Sequence, residues 1–208
     1  MRRLLLCIPG ILTDMNDAAA WFRVFAARFD SMEGCSGLPY AYSAGVAGAP
    51  VSLDPMAAEV GALLGRAQGH YEAIDVAVHS HGAAIILRAL VLDAQIKVRN
   101  VILIAGAAPE DCIASGLNLV CGRDQIEQAT VCYSPNDTVL MGPGTFPGYG
   151  QLGLKGPTHM SAATAARMRL ELFDCNHGGY FDADHVERTW AIVSAAVPPA
   201  ADPARQED

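Results

Sequence analysis

Ile74-Asp75-Val76-Ala77-Val78-His79-Ser80-His81-Gly82-Ala83-Ala84-Ile85-Ile86-Leu87-Arg88-Ala89 is the stretch on which the fold turns. Ile74–His79 is an almost wholly apolar run with β-branched residues at every second position, the pattern of a strand buried on both faces. From Gly82 to Ala94 the chain is rich in alanine and leucine and reads as a helix. Ser80 stands between the two, followed closely by Gly82 and Ala83. A strand that becomes a helix within so few residues brings two backbones together, which demands small side chains and holds the residue at the tip out at the end of the sheet. Serine also caps helices, but a cap does not account for the buried strand, the serine and the small pair in succession. Ser80 is therefore the candidate nucleophile.

The alternation continues on both sides. Arg2–Ile8 reads as a first buried strand and Asp17–Phe29 as a helix with Trp21, Val24, Phe25 and Phe29 along one face. Leu38–Ser43 reads as a second strand. Pro55–Gln68 is a helix opened by Asp54 as cap and by Pro55 in its first turn. Beyond the central stretch come a strand at Val101–Ala105, a helix at Leu117–Gln128, strands at Thr130–Tyr133 and Arg169–Phe173, and an amphipathic helix at Asp184–Ala196 presenting Val186, Trp190 and Val193.

Such an order predicts an α/β fold: a doubly wound, mostly parallel six-stranded sheet with helices on both faces. One domain spans 1–197, and 198–208, rich in Pro and Ala and then charged, is expected to be a disordered tail. In the strand order 2-1-3-4-5 extended by a sixth, strands one and three are neighbours at the point where the winding reverses, the usual place for a ligand. The loops Pro9–Thr13 and His79–Gly82 meet there.

Composition narrows the function classes. The 208 residues are 51% hydrophobic, 17% charged and carry a net charge of −8. With no basic cluster, nucleic acid and anionic membrane are not expected partners, because phosphate binding needs grouped Lys and Arg. Leu4–Ile8 resembles the core of a signal peptide but is cut short by Pro9-Gly10, and no stretch reaches the length of a membrane span. The six cysteines show no Cys-x-x-Cys spacing, and Cys7, Cys132 and Cys175 fall in apolar strand-like runs; a zinc or redox site is not indicated, and a reduced cytoplasmic protein is expected. Gly142–Gly156 is rich in glycine but lacks the Gly-Lys-Ser/Thr ending of a phosphate loop. His79-x-His81 has no third ligand at a recognisable spacing, so neither a metal nor a cofactor is expected.

Three features together resemble the α/β-hydrolase superfamily of lipases and esterases: the Pro9-Gly10-Ile11 turn, the His79-Ser80-His81-Gly82 elbow, and the order Ser, Asp, His along the chain. The resemblance spans residues 2 to about 196 and matches a small member without the two leading antiparallel strands. Val78 departs from it, standing where the family has glycine. The resemblance implies Ser80 as nucleophile, Asp137 after the fifth strand as the acid, and His177 after the sixth as the base. Asp111 is the alternative acid, and His159 and His185 are the competing histidines. The backbone amides of Ile11 and His81 are the expected oxyanion donors. Leu12, His79, Phe146 and Tyr149 are expected to line the substrate pocket. Ala107–Gly116 is too short for a large lid, although Leu117–Val120 could form an apolar flap. The activity implied is cleavage of a small-molecule carboxylic ester through an acyl-enzyme. A catalytically silent scaffold, or a thioesterase or lipase using the same residues, is the alternative. A flavodoxin-like nucleotide binder would need a phosphate-binding glycine loop after strand one, which Pro9-Gly10-Ile11-Leu12 does not supply.

Overall fold

The computed structural model describes residues 2–11, 13, 14, 16–42, 53–141 and 150–195. Leu12, Ser43, Phe146, Tyr149 and the tail from 198 lie outside them. Along the chain run β1 (Arg3–Ile8), α1 (Trp21–Asp30), β2 (Cys35–Pro39), α2 (Leu53–Ala67), β3 (Ala73–His79), α3 (His81–Leu92), β4 (Val98–Ile104) and α4 (Leu117–Gly122). There follow β5 (Ile126–Tyr133), α5 (Thr138–Met141), α6 (Leu152–Lys155), α7 (Ala162–Arg167), β6 (Met168–Leu172), a 3-10 turn at Gly179–Phe181 and α8 (Val186–Ala195). The six strands form one sheet in the order β2-β1-β3-β4-β5-β6. Every pairing is parallel.

The pleat sorts each strand between two apolar layers. Leu4, Leu6 and Ile8 of β1, Ile74, Val76 and Val78 of β3, and Val101 and Leu103 of β4 pack with α2, α3 and α4. Leu5, Cys7, Ala77, Ile102, Ile104 and Cys132 face α1 and α8. Burial on both faces is why these strands read as unbroken apolar runs. α3 is buried on almost every side, which only a helix of Gly, Ala, Ile and Leu allows this close to a sheet. Among the described residues no helix is long and apolar enough to cross a membrane. All six cysteines are free. Burial raises the pKa of Cys7 and Cys132 strongly and that of Cys112 and Cys175 to about 11, so these thiols act as small apolar groups rather than nucleophiles.

Several boundaries differ from expectation. α1 starts at Trp21, because Asp17 closes a turn instead, its Oδ1 accepting from the Ala19 amide at 2.8 Å. Val24 is exposed and Phe22 is buried: at roughly 100° per residue, Phe22, Phe25 and Phe29 share an arc that excludes position 24. The second strand runs Cys35–Pro39, not Leu38–Ser43, with Gly37 pressed against α1 so that a Cβ there would fall 1.8 Å from the Ala26 carbonyl oxygen. Asp54 is inside α2 and pairs with Arg88 of α3 at 2.8 Å rather than capping its own helix. The helix expected over Leu117–Gln128 ends at Gly122, and β5 already begins at Ile126. Leu117 and Val120 are core residues, so they form no flap. Cys175 is beyond the end of β6, in the loop that follows.

Candidate active site

β3 ends at His79, and Ser80 leaves regular geometry with φ 53° and ψ −119°. A non-glycine residue held there costs of order 1–3 kcal/mol. Its surroundings fix it. The Ser80 amide donates to the Ile104 carbonyl at 3.0 Å, and its own carbonyl accepts from the amides of Ala107 at 2.9 Å and Ala83 at 3.1 Å. The small residues do what the turn requires. A Cβ on Gly82 would lie 2.7 Å from the Ile8 carbonyl oxygen, and one on Gly10 would lie 2.9 Å from Ser80 Cβ. Val78 does not block the turn. It is fully buried in the α2–α3 layer, with Ile8 and Leu103 as its strand neighbours.

Asp137 and His177 reach Ser80 from the ends of β5 and β6. His177 Nε2 is 2.9 Å from Ser80 Oγ, and His177 Nδ1 is 2.8 Å from Asp137 Oδ2. A carboxylate only accepts, so Nδ1 carries the proton and Nε2 presents its lone pair to the hydroxyl. Asp137 is completely buried, and its second oxygen accepts from the Leu140 amide at 3.0 Å in the first turn of α5. Both carboxylate oxygens are thus engaged, which fixes the rotamer that meets His177.

The histidines beside Ser80 are both buried. His79 donates from Nε2 to the His177 carbonyl at 2.9 Å, and its ring packs against Trp21, Phe181 and His177. Its pKa is lowered to about 4, first by burial and then by the nearby His177. With 8% of its surface exposed, His79 underlies the loop of His177. His81 lies under Tyr42 at a ring separation of 6.1 Å, and burial lowers its pKa to about 4 as well. Its amide is the first of α3, one with no acceptor inside the helix. Ile11 follows Gly10, where any added Cβ would crowd Ser80.

No family model and no curated protein matches the sequence. Solved structures do. The type II thioesterase BorB of the borrelidin biosynthetic cluster is 15% identical, with 94% of this chain and 91% of that chain covered and a TM-score of 0.55. The RedJ thioesterase of the prodiginine pathway of Streptomyces coelicolor is 13% identical over 94% of this chain and 86% of that one, at a TM-score of 0.57. Alpha/beta hydrolase domain-containing protein 10 from mouse is 13% identical over 92% and 88%, also at 0.57. The chain has the α/β-hydrolase fold.

Within this α/β-hydrolase fold the competing residues lie elsewhere. Asp111 accepts from the Ile113 amide at 2.8 Å and stands 3.5 Å from the exposed His159. His185 precedes α8 and meets Phe173 edge-on at 5.8 Å. Two further residues brace the site. Tyr42 donates its hydroxyl to the Pro9 carbonyl at 2.9 Å and so anchors the loop after β1. Ser134, fully buried, ties the loop of Asp137 to the loop of His177. Tyr42 sits in a stretch that reads as a strand, and Ser134 in a cluster that reads as an ordinary turn; neither carries a signal of its own.

Proposed function

We propose that this chain is a serine hydrolase that cleaves small carboxylic esters through an acyl-enzyme. The observation that carries the reading is the hydrogen-bonded series Ser80 Oγ, His177, Asp137, with separations of 2.9 and 2.8 Å, at the tip of a turn whose strained backbone the neighbouring strands enforce. A serine hydroxyl is a weak nucleophile until a base within hydrogen-bond reach takes its proton. His177 Nε2 takes the Ser80 proton as Oγ bonds to the ester carbonyl carbon. Asp137 stabilises the imidazolium and keeps the tautomer. The negative charge moves to the carbonyl oxygen, for which the amides of Ile11 and His81 are the donors. One such donor is worth about 3 kcal/mol in the transition state. The ester C–O bond breaks as His177 passes its proton to the leaving alkoxide. Water, deprotonated by the same imidazole, then releases the acid. These steps use only side chains, backbone amides and water.

Thioesters are a second reading, since BorB and RedJ are thioesterases and attack by a serine proceeds alike whether an alkoxide or a thiolate departs. A silent scaffold is a third reading; Val78 stands where the family pattern has glycine, but it is packed in the α2–α3 layer without blocking the turn.

A fluorophosphonate probe tests the proposal. Labelling of the folded protein that vanishes in Ser80→Ala is the expected result, and a folded wild type that takes up no probe refutes it. Hydrolysis of p-nitrophenyl esters and acyl thioesters of graded chain length then separates the first two readings.

A further inference from the structure

We propose that Ser134 is a positioning residue that sets the acid against the base. The proposal rests on the reading of Ser80, His177 and Asp137 just given. β5 and β6 lie side by side, with Tyr133 opposite Leu172. The Phe173 amide makes the last ladder bond, to the Tyr133 carbonyl at 2.9 Å. From there one chain runs on to Asp137 and the other to His177, and the Ser134 hydroxyl takes over the joining of the two strands. It donates to the Cys175 carbonyl at 2.6 Å and accepts from the Cys175 amide at 3.3 Å and the Asn136 amide at 3.2 Å.

A hydroxyl has one donor and two acceptor sites, and all three are in use. Asn136 is the neighbour of Asp137, and Cys175 is two residues short of His177. One buried atom therefore grips both catalytic loops just before they present their side chains. The bond to Asn136 alone would be a local serine turn. The bonds to Cys175, 41 residues away in sequence, have no such local explanation. The other side of Ser134 is fixed too, its amide donating to the Gly153 carbonyl at 2.9 Å. A second tie, from Asn136 Nδ2 to Asp174 Oδ1, is exposed to solvent and competes with water.

Ser134→Ala removes the grip with little change in volume. The expected result is a kcat on p-nitrophenyl acetate lower by about 10- to 100-fold, the scale of a displacement near 1 Å in a catalytic group, with KM changed by less than about twofold. The downfield proton resonance of His177 Nδ1–H, identified by its loss in His177→Gln, weakens or moves in the same variant, because the bond to Asp137 is no longer held. Ser115→Ala is the control: Ser115 is a buried serine whose Oγ makes no hydrogen bond among the described residues, and its variant keeps both readouts. If the alanine variant does not fold, Ser134→Cys, a weak donor of similar volume, replaces it with the same expectation. A wild-type kcat in the Ser134 variant overturns the proposal, and so does a lowered kcat with an unmoved resonance. If the wild type neither hydrolyses nor labels, the hydrolase reading has failed, and the resonance alone decides whether Ser134 sets Asp137 against His177.

Discussion

Replacing Ser80 by glycine and, separately, by alanine divides the strain of the turn from the bond its hydroxyl makes. Both variants lose the 2.9 Å contact with His177, a loss of about 0.5–1.5 kcal/mol that cancels between them. Alanine keeps a Cβ on a backbone at φ 53°. Glycine removes it and with it a strain of order 1–3 kcal/mol. Against that gain, glycine's freer unfolded chain takes back about 0.4–1 kcal/mol. Glycine is expected to be the more stable of the two by about 1–2 kcal/mol, opposite to its usual rank below alanine in a structured segment. At roughly 2–4 °C per kcal/mol for a chain of this size, the melting points separate by about 2–8 °C. Urea titration reads the same difference as a shift in midpoint at unchanged slope. Neither variant takes up a fluorophosphonate. An alanine variant as stable as the glycine variant, or more so, would refute the argument that the turn stores strain at this residue.

Asp137→Asn keeps the shape but presents the wrong hydrogen-bonding partner to His177 Nδ1, and kcat is expected to fall by about 10³- to 10⁴-fold in steady-state assays while the melting point moves little. Gly37→Ala places a methyl 1.8 Å from the Ala26 carbonyl oxygen, forcing α1 and β2 apart; a loss of about 1–3 kcal/mol or more in denaturant titration is expected. His79 and His81 stay neutral in the fold, their pKa values lowered from 6.5 to about 4 by burial. Below about 6.5 the unfolded chain takes up protons on them that the folded chain refuses, so the stability present above that pH declines as pH falls toward 4. Urea midpoints measured across that range show the decline, and His81→Asn makes it shallower.

Where burial is complete the sequence is informative. β1, β3 and β4 are buried on both faces, so their apolar runs mark them as strands, and the doubly wound pattern sets their order, with handed crossovers only limiting the choice. Edges were harder to read. β2 is only partly buried, and its Cys-Ser-Gly-Leu-Pro composition answers to the contact of Gly37 with α1 rather than to strand propensity. β5 opens on Ile126 followed by exposed Glu127 and Gln128, so a single apolar residue is all that marks its start. α5, α6 and α7 are too short for a periodic signal. At the site, Ser80, Asp137 and His177 could be named because each follows a strand, and the sheet places strand ends side by side. The tie made by Ser134 and the seat of His79 under His177 depend on side-chain contacts between loops distant in sequence, and no local pattern encodes those.

The order in which these groups occur along the chain has a consequence for synthesis. Ser80 is carried at the end of a central strand, and the imidazole that takes its proton on the proposed reading lies 97 residues later. A nascent chain that has completed β3 therefore exposes a hydroxyl with ordinary alcohol reactivity. The contact on which the proposed hydrolysis rests forms only when β6 and the loop after it have emerged and docked, so a truncated translation product carries Ser80 without His177.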